Sequence, residues 1–315
     1  MSEMLSSLII PVYGNSGTIT PLIEAIEGID RSVEDDLEVI FVIDGSPDDS
    51  EVRLLAQLPS SSLDARVVEH SRNFGSFAAI RTGMSVARGV RMAVMAADLQ
   101  EPPELVVEFL RRLGTGEVDV VAGERASRND RGDAAAGLYW RLYKRFVLAD
   151  VPAGGVDVFA CTAEVRDVIC SLESVHTSLV AQLFWVGFRR ELVAYNRLPS
   201  ATPSGWTFRR KLRYLSDSVF AFTDLPVKAL WLIGLVGLAL GAIVALAVIV
   251  AKVVGTINVP GYAATILVVD FFGSLNLIGL GIIGSYVFRN YETAKGRPGA
   301  IVAREIDVAR VRHDG

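Results

Sequence analysis

The sequence predicts an α/β protein. It has a mostly parallel, Rossmann-like sheet with helices on both faces, then a juxtamembrane amphipathic helix and two transmembrane helices. Three observations carry that prediction. Short apolar segments alternate with amphipathic helical segments over residues 8–123, the pattern of parallel strands joined by right-handed crossovers. Polar loops follow three of those strands, at Tyr13, Asp44 and Asp98, and open sheets of this kind bind ligands at the carboxyl ends of their strands. Two apolar runs, 229–254 and 263–288, each exceed the ~20 residues that cross a bilayer core.

The elements follow in order. Leu8-Ile9-Ile10-Pro11-Val12-Tyr13 reads as a buried strand, followed by a Gly14–Gly17 loop and a helix with Thr20 as cap and Pro21 in its first turn. Ile19, Leu22, Ile23 and Ile26 fall on one face of that helix. Leu37–Ile43 is a second buried strand and ends in the carboxylate-rich turn Asp44-Gly45-Ser46-Pro47-Asp48-Asp49-Ser50. Arg66–His70 is a third strand, running through Ser71-Arg72-Asn73-Phe74-Gly75 into a helix over Ser76–Ala87. The fourth strand begins at Val94 and the fifth covers Val118–Gly123. Residues 1–204 thus form one domain.

The fourth strand organises the rest. Val94-Met95-Ala96-Ala97 is an apolar run that ends in Asp98, with Gln100 two residues on. Positions i and i+2 of a strand share one side. If the extended geometry persists, Asp98 and Gln100 face one spot at the sheet edge, where two oxygens suit a divalent cation. A polar turn into the helix Glu104–Leu113 is the alternative reading. Pro102 and Pro103 end the strand in either case.

Composition narrows the class. The net charge of −5 leaves no basic field for nucleic acid. Cys161 and Cys170 have no metal-ligand spacing and read as free thiols in a reducing compartment. His70, His176 and His313 are scattered and form no ligand pattern. The first residues lack the features of a signal peptide.

Past the sheet, residues 205–226 read as a basic amphipathic helix. Phe208, Leu212, Leu215, Val219 and Phe222 recur at helical spacing, and Arg209, Arg210, Lys211 and Arg213 crowd the other positions. Such a helix lies among membrane lipid headgroups; attraction to anionic lipids and binding of an acceptor phosphate both account for its charges. The two spans occupy 227–290, and 291–315 is a C-terminal tail. Basic residues flank the pair on both outer sides, Lys228 before and Arg289, Lys295 and Arg297 after. The positive-inside rule then places the sheet domain and both termini in the cytoplasm, on a multi-pass protein of the plasma (inner) membrane. Lys252 is placed to snorkel to the far interface. Asp270 lies about a third of the way into the second span, as a functional carboxylate or a helix-contact residue. Gly234, Gly237, Gly241, Gly279, Gly281 and Gly284 suit close helix packing or contacts in a homo-oligomer.

Four motifs now stand in sequence. They are Ile10-Pro11-Val12-Tyr13, Asp44-Gly45-Ser46-x-Asp48-x-Ser50, Arg72-Asn73-Phe74-Gly75 and Ala97-Asp98-Leu99-Gln100-Glu101-Pro102-Pro103-Glu104. Together with Gly281–Arg289 and Lys295-Gly296-Arg297-Pro298 near the end, they resemble glycosyltransferase family 2, and within it the polyprenyl-phosphate, dolichol-phosphate mannosyltransferase-like group. The resemblance implies a GT-A fold, a UDP- or GDP-linked sugar donor, a divalent metal (Mg²⁺ or Mn²⁺) and a polyprenyl phosphate acceptor such as undecaprenyl or dolichyl phosphate. It implies that Pro11, Val12, Tyr13, Asp44 and Ala97 line the nucleotide pocket, with Asp44 bonding base or ribose, and that Asp98 holds the metal together with Gln100. Arg125, Arg128, Arg131 and Arg197 become candidates to position the acceptor phosphate; a solvated loop is the other reading of the first three. Asp157 is placed to touch sugar hydroxyls or to serve the structure. Asp98, Arg125 and Arg128 are then the expected catalytic groups. The acceptor phosphate is largely ionised at neutral pH and needs no strong base, so direct attack would invert the anomeric centre.

The sequence departs from the family pattern at four places, the first being Gly14-Asn15, where the family has Asn-Glu after the tyrosine. Ala96 stands where the family has the first carboxylate of Asp-x-Asp, which weakens the metal site. Ile43 replaces an acid before Asp44, and the basic positions expected after Arg197 are absent around Gly205. A family 2 transferase with another glycan or lipid acceptor, and a catalytically silent membrane partner, are the competing functional readings.

Overall fold

The structure is a computed structural model that describes residues 5–125, 156, 158–172, 179–198, 225–254 and 261–308. Arg128, Arg131, Asp157 and residues 205–224 of the amphipathic helix expected at 205–226 lie outside the described residues, as do the side chains of Lys252 and Asp270. The chain divides into two compact units, Met1–Leu212 with Pro298–Gly315, and Arg213–Arg297.

The first unit is built on one sheet. Its strands are β1 (Leu5–Val12), β2 (Asp36–Ile43), β3 (Asp64–His70), β4 (Arg91–Val94), β5 (Val120–Arg125), β6 (Phe159–Thr162), β7 (Arg190–Tyr195) and β8 (Val302–Val308). They lie in the order β7-β5-β6-β4-β1-β2-β3-β8. β1 pairs in parallel with β2 and β4, β2 with β3, and β5 with β7. β6 runs antiparallel between β4 and β5, and β8 antiparallel along β3. Six strands therefore point their carboxyl ends at one sheet edge. The prediction of a mostly parallel α/β sheet holds.

Helices cover the sheet as its burial demands. β1 and β2 are buried along nearly their whole length, as strands covered on both faces must be. Helices α1 (Ile19–Ser32), α2 (Ser50–Gln57), α3 (Ser76–Val86) and α4 (Glu104–Gly114) follow β1 to β4 in turn. α1 buries Ile19, Leu22, Ile23, Ile26 and Ile29, and α4 buries Leu105, Val106, Phe109, Leu110 and Leu113, each a stripe at helical period. α3 comes close because of Gly83: a Cβ there would meet Ile9 Cγ2 at 2.4 Å. α5 (Ala163–Ser171) and α6 (Leu179–Trp185) complete the layer.

Several boundaries differ from expectation. The residue before α1 is Thr18, not Thr20, and its hydroxyl caps nothing; it donates to Asn15 O and Ala97 O. β4 stops at Val94 where an extended run to Ala97 was expected. Three strands, β6, β7 and β8, went unread. β6 is four residues long, β7 has a four-residue apolar stretch after Arg190-Glu191, and β8 carries Arg304, Glu305 and Asp307 among its seven residues. Cys161 and Cys170 are both unpaired, as expected.

The sheet's opposite edge is fastened by a buried carboxylate. Glu38 accepts hydrogen bonds from Ser7 Oγ (2.6 Å), Arg88 N (2.5 Å) and Arg88 Nε (2.8 Å). Burial alone would raise its pKa, but these donors outweigh that and hold it below the usual carboxylate value.

The second unit holds two helices, α7 (Leu225–Val253, 29 residues) and α8 (Tyr262–Ala294, 33 residues). At ~1.5 Å per residue both are longer than a bilayer core is thick. Within α8, Phe271–Phe288 is apolar and long enough to cross a membrane; in α7 the apolar stretch recognised among the described residues is the shorter Val227–Gly237. Glycines sit where the two helices touch: a Cβ on Gly237 would lie 3.5 Å from Phe272, and one on Gly279 3.5 Å from Leu230. This is the close packing that small residues permit.

Candidate active site

Four loops leave the carboxyl ends of β1, β2, β3 and β4, and they are tied into one wall. Asp48 is the knot. Its carboxylate accepts from Ser46 Oγ (2.7 Å), Ser50 Oγ (2.5 Å) and the backbone N–H of Ser16 (2.9 Å). Ser46 and Ser50 in turn accept from the amides of Gly14 and Asn15. The Asp-Gly-Ser-x-Asp-x-Ser motif thereby fastens the β2 loop to the β1 loop. Thr18 fastens the β1 loop to the β4 loop through Ala97 O at 2.9 Å.

The donors around Asp48 outweigh its modest burial and hold its pKa far below the usual range. A carboxylate depressed in the folded state stabilises the fold above its unfolded value of 3.8 and loses that contribution as pH falls further. Asp48→Asn is therefore expected to lower the melting temperature at pH 7, with the gap to the natural protein closing as pH drops below about 4. Thermal melting in detergent across that range checks it; a gap independent of pH would remove the ionised knot.

Asp44 does the same for the β3 loop. The residue is 2 % exposed. Oδ1 accepts from His70 Nδ1 (2.8 Å) and Phe74 N (2.8 Å), and Oδ2 from Gly75 N (2.7 Å). Burial pushes its pKa up, but the His70, Phe74 and Gly75 donors more than offset this and leave it lowered. Beside it the chain turns at Gly45, with φ +57°. A Cβ at Gly45 would lie 2.5 Å from Arg72 C and Asn73 N, so only glycine lets these two backbones approach.

Between the loops lies an open cleft of about 430 Å³, lined by Pro11, Val12, Tyr13, Asn15, Asp44, Asn73, Gly75, Ser76, Ala96, Ala97 and Asp98. Its volume falls in the range of small-molecule sites. Six residues named from the sequence meet here: Pro11, Val12, Tyr13, Asp44, Ala97 and Asp98. Tyr13 is 51 % exposed and presents its ring to solvent. Asp44 keeps one acceptor position after its three protein bonds.

Gln100 does not join them. The chain turns at Ala97–Asp98, and Leu99 has φ +54°, so the extended geometry that would align Asp98 with Gln100 is absent. Gln100 is 7 % exposed and its backbone N–H bonds back to Asp98 Oδ1 at 3.2 Å. Its backbone carbonyl oxygen accepts from Leu198 N at 2.8 Å. Arg197, the neighbour of Leu198, has its Nε 3.6 Å from Glu101 Oε1. Arg125 ends β5 at the same sheet edge, in register with Tyr195, and is not among the residues lining the cleft. Among the described residues, no three His, Cys, Asp or Glu side chains gather as a ligand set.

The sequence reading missed Asn15, Asn73, Gly75 and Ser76 as cleft residues, and His70 behind them. The signal was present, because the loop after the third strand reaches the same edge as the other three. Arg72-Asn73-Phe74-Gly75 served only as a family mark.

Comparison with known proteins now adds to the geometry. Residues 7–169 match the profile of Glycosyl transferase family 2. The chain is 30 % identical to the "Putative glycosyltransferase CsbB" of Bacillus subtilis (strain 168) over 304 residues, 95 % of this chain and 91 % of that one. It is 26 % identical to the "Bactoprenol glucosyl transferase" of Shigella phage SfV over 310 residues, 96 % and 99 % of the two chains. Among solved structures, mannosyl-3-phosphoglycerate synthase from Rubrobacter xylanophilus superposes with a TM-score of 0.49 at 15 % identity, over 69 % of this chain and 71 % of that one. The profile match starts within β1 and ends within α5, so it takes in every loop that lines the cleft. The chain belongs to glycosyl transferase family 2.

Proposed function

We propose that this glycosyltransferase moves a sugar from a nucleoside diphosphate donor to the phosphate of a polyprenyl lipid, at the cytoplasmic face of the plasma membrane, with inversion. The observation that carries this reading is the cleft, where Pro11–Tyr13, Asp44 and Asp98 converge at the carboxyl edge of the sheet. The donor class follows from the family. The acceptor is suggested by the phage relative named as a bactoprenol glucosyl transferase, which matches over 96 % of this chain.

The cleft residues divide the work. Tyr13 offers an exposed ring, and Asp44 one remaining acceptor, to the base and ribose. Asp98 is the less engaged of the two lining carboxylates: its Oδ1 accepts from Gln100 N at 3.2 Å, whereas Asp44 accepts three shorter bonds. A single carboxylate fits a divalent cation that arrives with the pyrophosphate, since Mg²⁺ is commonly held by one or two carboxylates plus substrate phosphates. When bound, the cation would offset the charge left on the departing nucleotide. Gln100 is turned into the protein and falls out of the ligand set. Arg125, at the sheet edge, is suited to hold the acceptor phosphate because its planar fork engages two oxygens; Arg197 shares its charge with Glu101. A phosphate nucleophile is already ionised, so no side chain has to remove a proton.

Membrane attachment follows from α7 and α8, with exposed apolar side chains such as Leu235, Leu240, Leu277 and Leu280. Lipid tails would cover them, and both helices would cross, consistent with the positive-inside pattern of their flanks.

The test is a transfer assay on the full chain in detergent. It combines undecaprenyl phosphate, Mg²⁺ or Mn²⁺, and a panel of UDP- and GDP-sugars. Formation of a lipid-phosphate sugar of the expected mass, abolished by chelator, is the expected result. Donor binding without any lipid-linked product would overturn the acceptor assignment.

A further inference from the structure

A buried chain of hydrogen bonds runs behind the cleft, from Asp44 at the end of β2, through His70 at the end of β3, to Thr82 in α3. His70 has no exposed side-chain surface. Its Nδ1 lies 2.8 Å from Asp44 Oδ1 and its Nε2 2.9 Å from Thr82 Oγ1. An ionised carboxylate only accepts, so Nδ1 carries a proton and donates it to Asp44. In the neutral ring Nε2 then accepts from the Thr82 hydroxyl. Both ring nitrogens are used, and the ring cannot turn without breaking both bonds.

What this chain holds is the wall of the cleft. Asp44 anchors the amides of Phe74 and Gly75, and Asn73, Gly75 and Ser76 form that wall. The Phe74 ring stands edge-on to His70, centroids 5.5 Å apart. Arg72 covers the Phe74 ring, with Cζ 4.1 Å from the centroid. His70 is thus the inner member of a stack that ends at Arg72, the chain neighbour of the cleft residue Asn73. Gly75 has φ +99°, a conformation available because it is glycine, and the two Asp44 bonds, to its own amide and to that of Phe74, hold the chain where that conformation begins.

We infer that His70 is a positioning residue for the donor: it fixes the Asp44 carboxylate, and through it the 72–75 loop, in the arrangement that receives the nucleotide. The inference rests on reading the cleft as the donor site. His70 touches no ligand. Its effect passes through Asp44, whose Oδ1 would lose one of two donors, leaving the carboxylate held only from the loop side, by the amides of Phe74 and Gly75. Removing it should therefore change donor affinity and leave the acceptor step alone.

The experiment compares full-length variants in detergent. His70→Phe keeps an aromatic ring and removes both nitrogens. His70→Asn places an amide N–H where Nδ1–H was. Thr82→Val removes the bond to Nε2 only. The readouts are Kd for UDP and GDP by titration calorimetry, and KM and kcat for the transfer. Losing a hydrogen bond to a buried carboxylate should raise donor KM and nucleotide Kd about tenfold in His70→Phe, with acceptor KM and kcat within about twofold. His70→Asn should recover most of that loss, and Thr82→Val should fall between. Tyr13→Ala serves as the reference for the site itself. If Tyr13→Ala weakens nucleotide binding and folded His70→Phe and Thr82→Val do not, the positioning role is wrong and the donor site stands. If no variant, Tyr13→Ala included, changes nucleotide binding, the donor-site reading falls and this inference with it. A proportional loss of kcat at constant donor KM would equally overturn it.

Discussion

Asp98→Asn should abolish transfer while leaving the fold in place. We expect turnover to fall at least ~10²-fold, the scale seen when one preorganised electrostatic group is removed from a reacting centre. The substitution is close to isosteric. Asn keeps an oxygen where Asp98 Oδ1 accepts from the Gln100 amide at 3.2 Å, so the turn at Leu99 survives and the melting temperature should stay within ~2 °C. What is lost is the negative charge. Ala96 supplies none two residues earlier, and the Asp44 carboxylate is mostly used by His70, Phe74 and Gly75. Steady-state assays at saturating donor, paired with thermal melting, check the prediction. Normal turnover would remove Asp98 from the cation site altogether.

Gly45→Ala should cost both stability and nucleotide binding. Two penalties add. A side chain at φ +57° sits in the left-handed region, at ~1 kcal/mol. Its Cβ would also lie 2.5 Å from Arg72 C and Asn73 N; those are backbone atoms, so the loop must move as a whole, at ~1–3 kcal/mol. A loss of about 2–4 kcal/mol follows, with nucleotide Kd raised more than about tenfold because the displaced loop is the cleft wall. Gly14→Ala is the comparison. It has φ +71° but open space around its Cβ, and should show only the ~1 kcal/mol conformational cost. Equal effects at the two glycines would mean that the approach of the β2 and β3 loops is not what constrains Gly45.

The parts of the sheet buried on both faces were legible in the sequence. Leu8–Val12 and Val39–Ile43 are continuous apolar runs because almost nothing along them meets water, and Val120, Val121 and Ala122 repeat the pattern. The cleft was legible for a related reason: a buried strand must surface at its carboxyl end, so Tyr13, Asp44 and Asp98 had to appear together. β6 and β7 were not legible. Phe159–Thr162 is too short to show a period, and Arg190–Tyr195 is an edge strand with exposed apolar residues, Leu192 and Ala194, so its pattern does not separate an inner from an outer face. Gln100 failed for a different reason. Its assignment needed one more extended residue, and Leu99 adopts a positive φ that its side chain does not advertise. His70 was read as an isolated histidine because its partners are 26 positions before it and 12 after it in the chain.

β8 has a consequence for how the protein is made. It pairs with β3 across a separation of 241 residues, as the Arg66–Asp307 bond measures. Arg304 adds contacts to Glu51 and Glu69. During synthesis, the backbone edge of β3 therefore waits uncovered while α7 and α8 are made. An open strand edge is a template for unwanted pairing, and closing so long a loop is slow. The charged side chains along this edge, Arg66 and Glu69 among them, keep β3 soluble during that interval and then become the ion pairs that fasten the last strand.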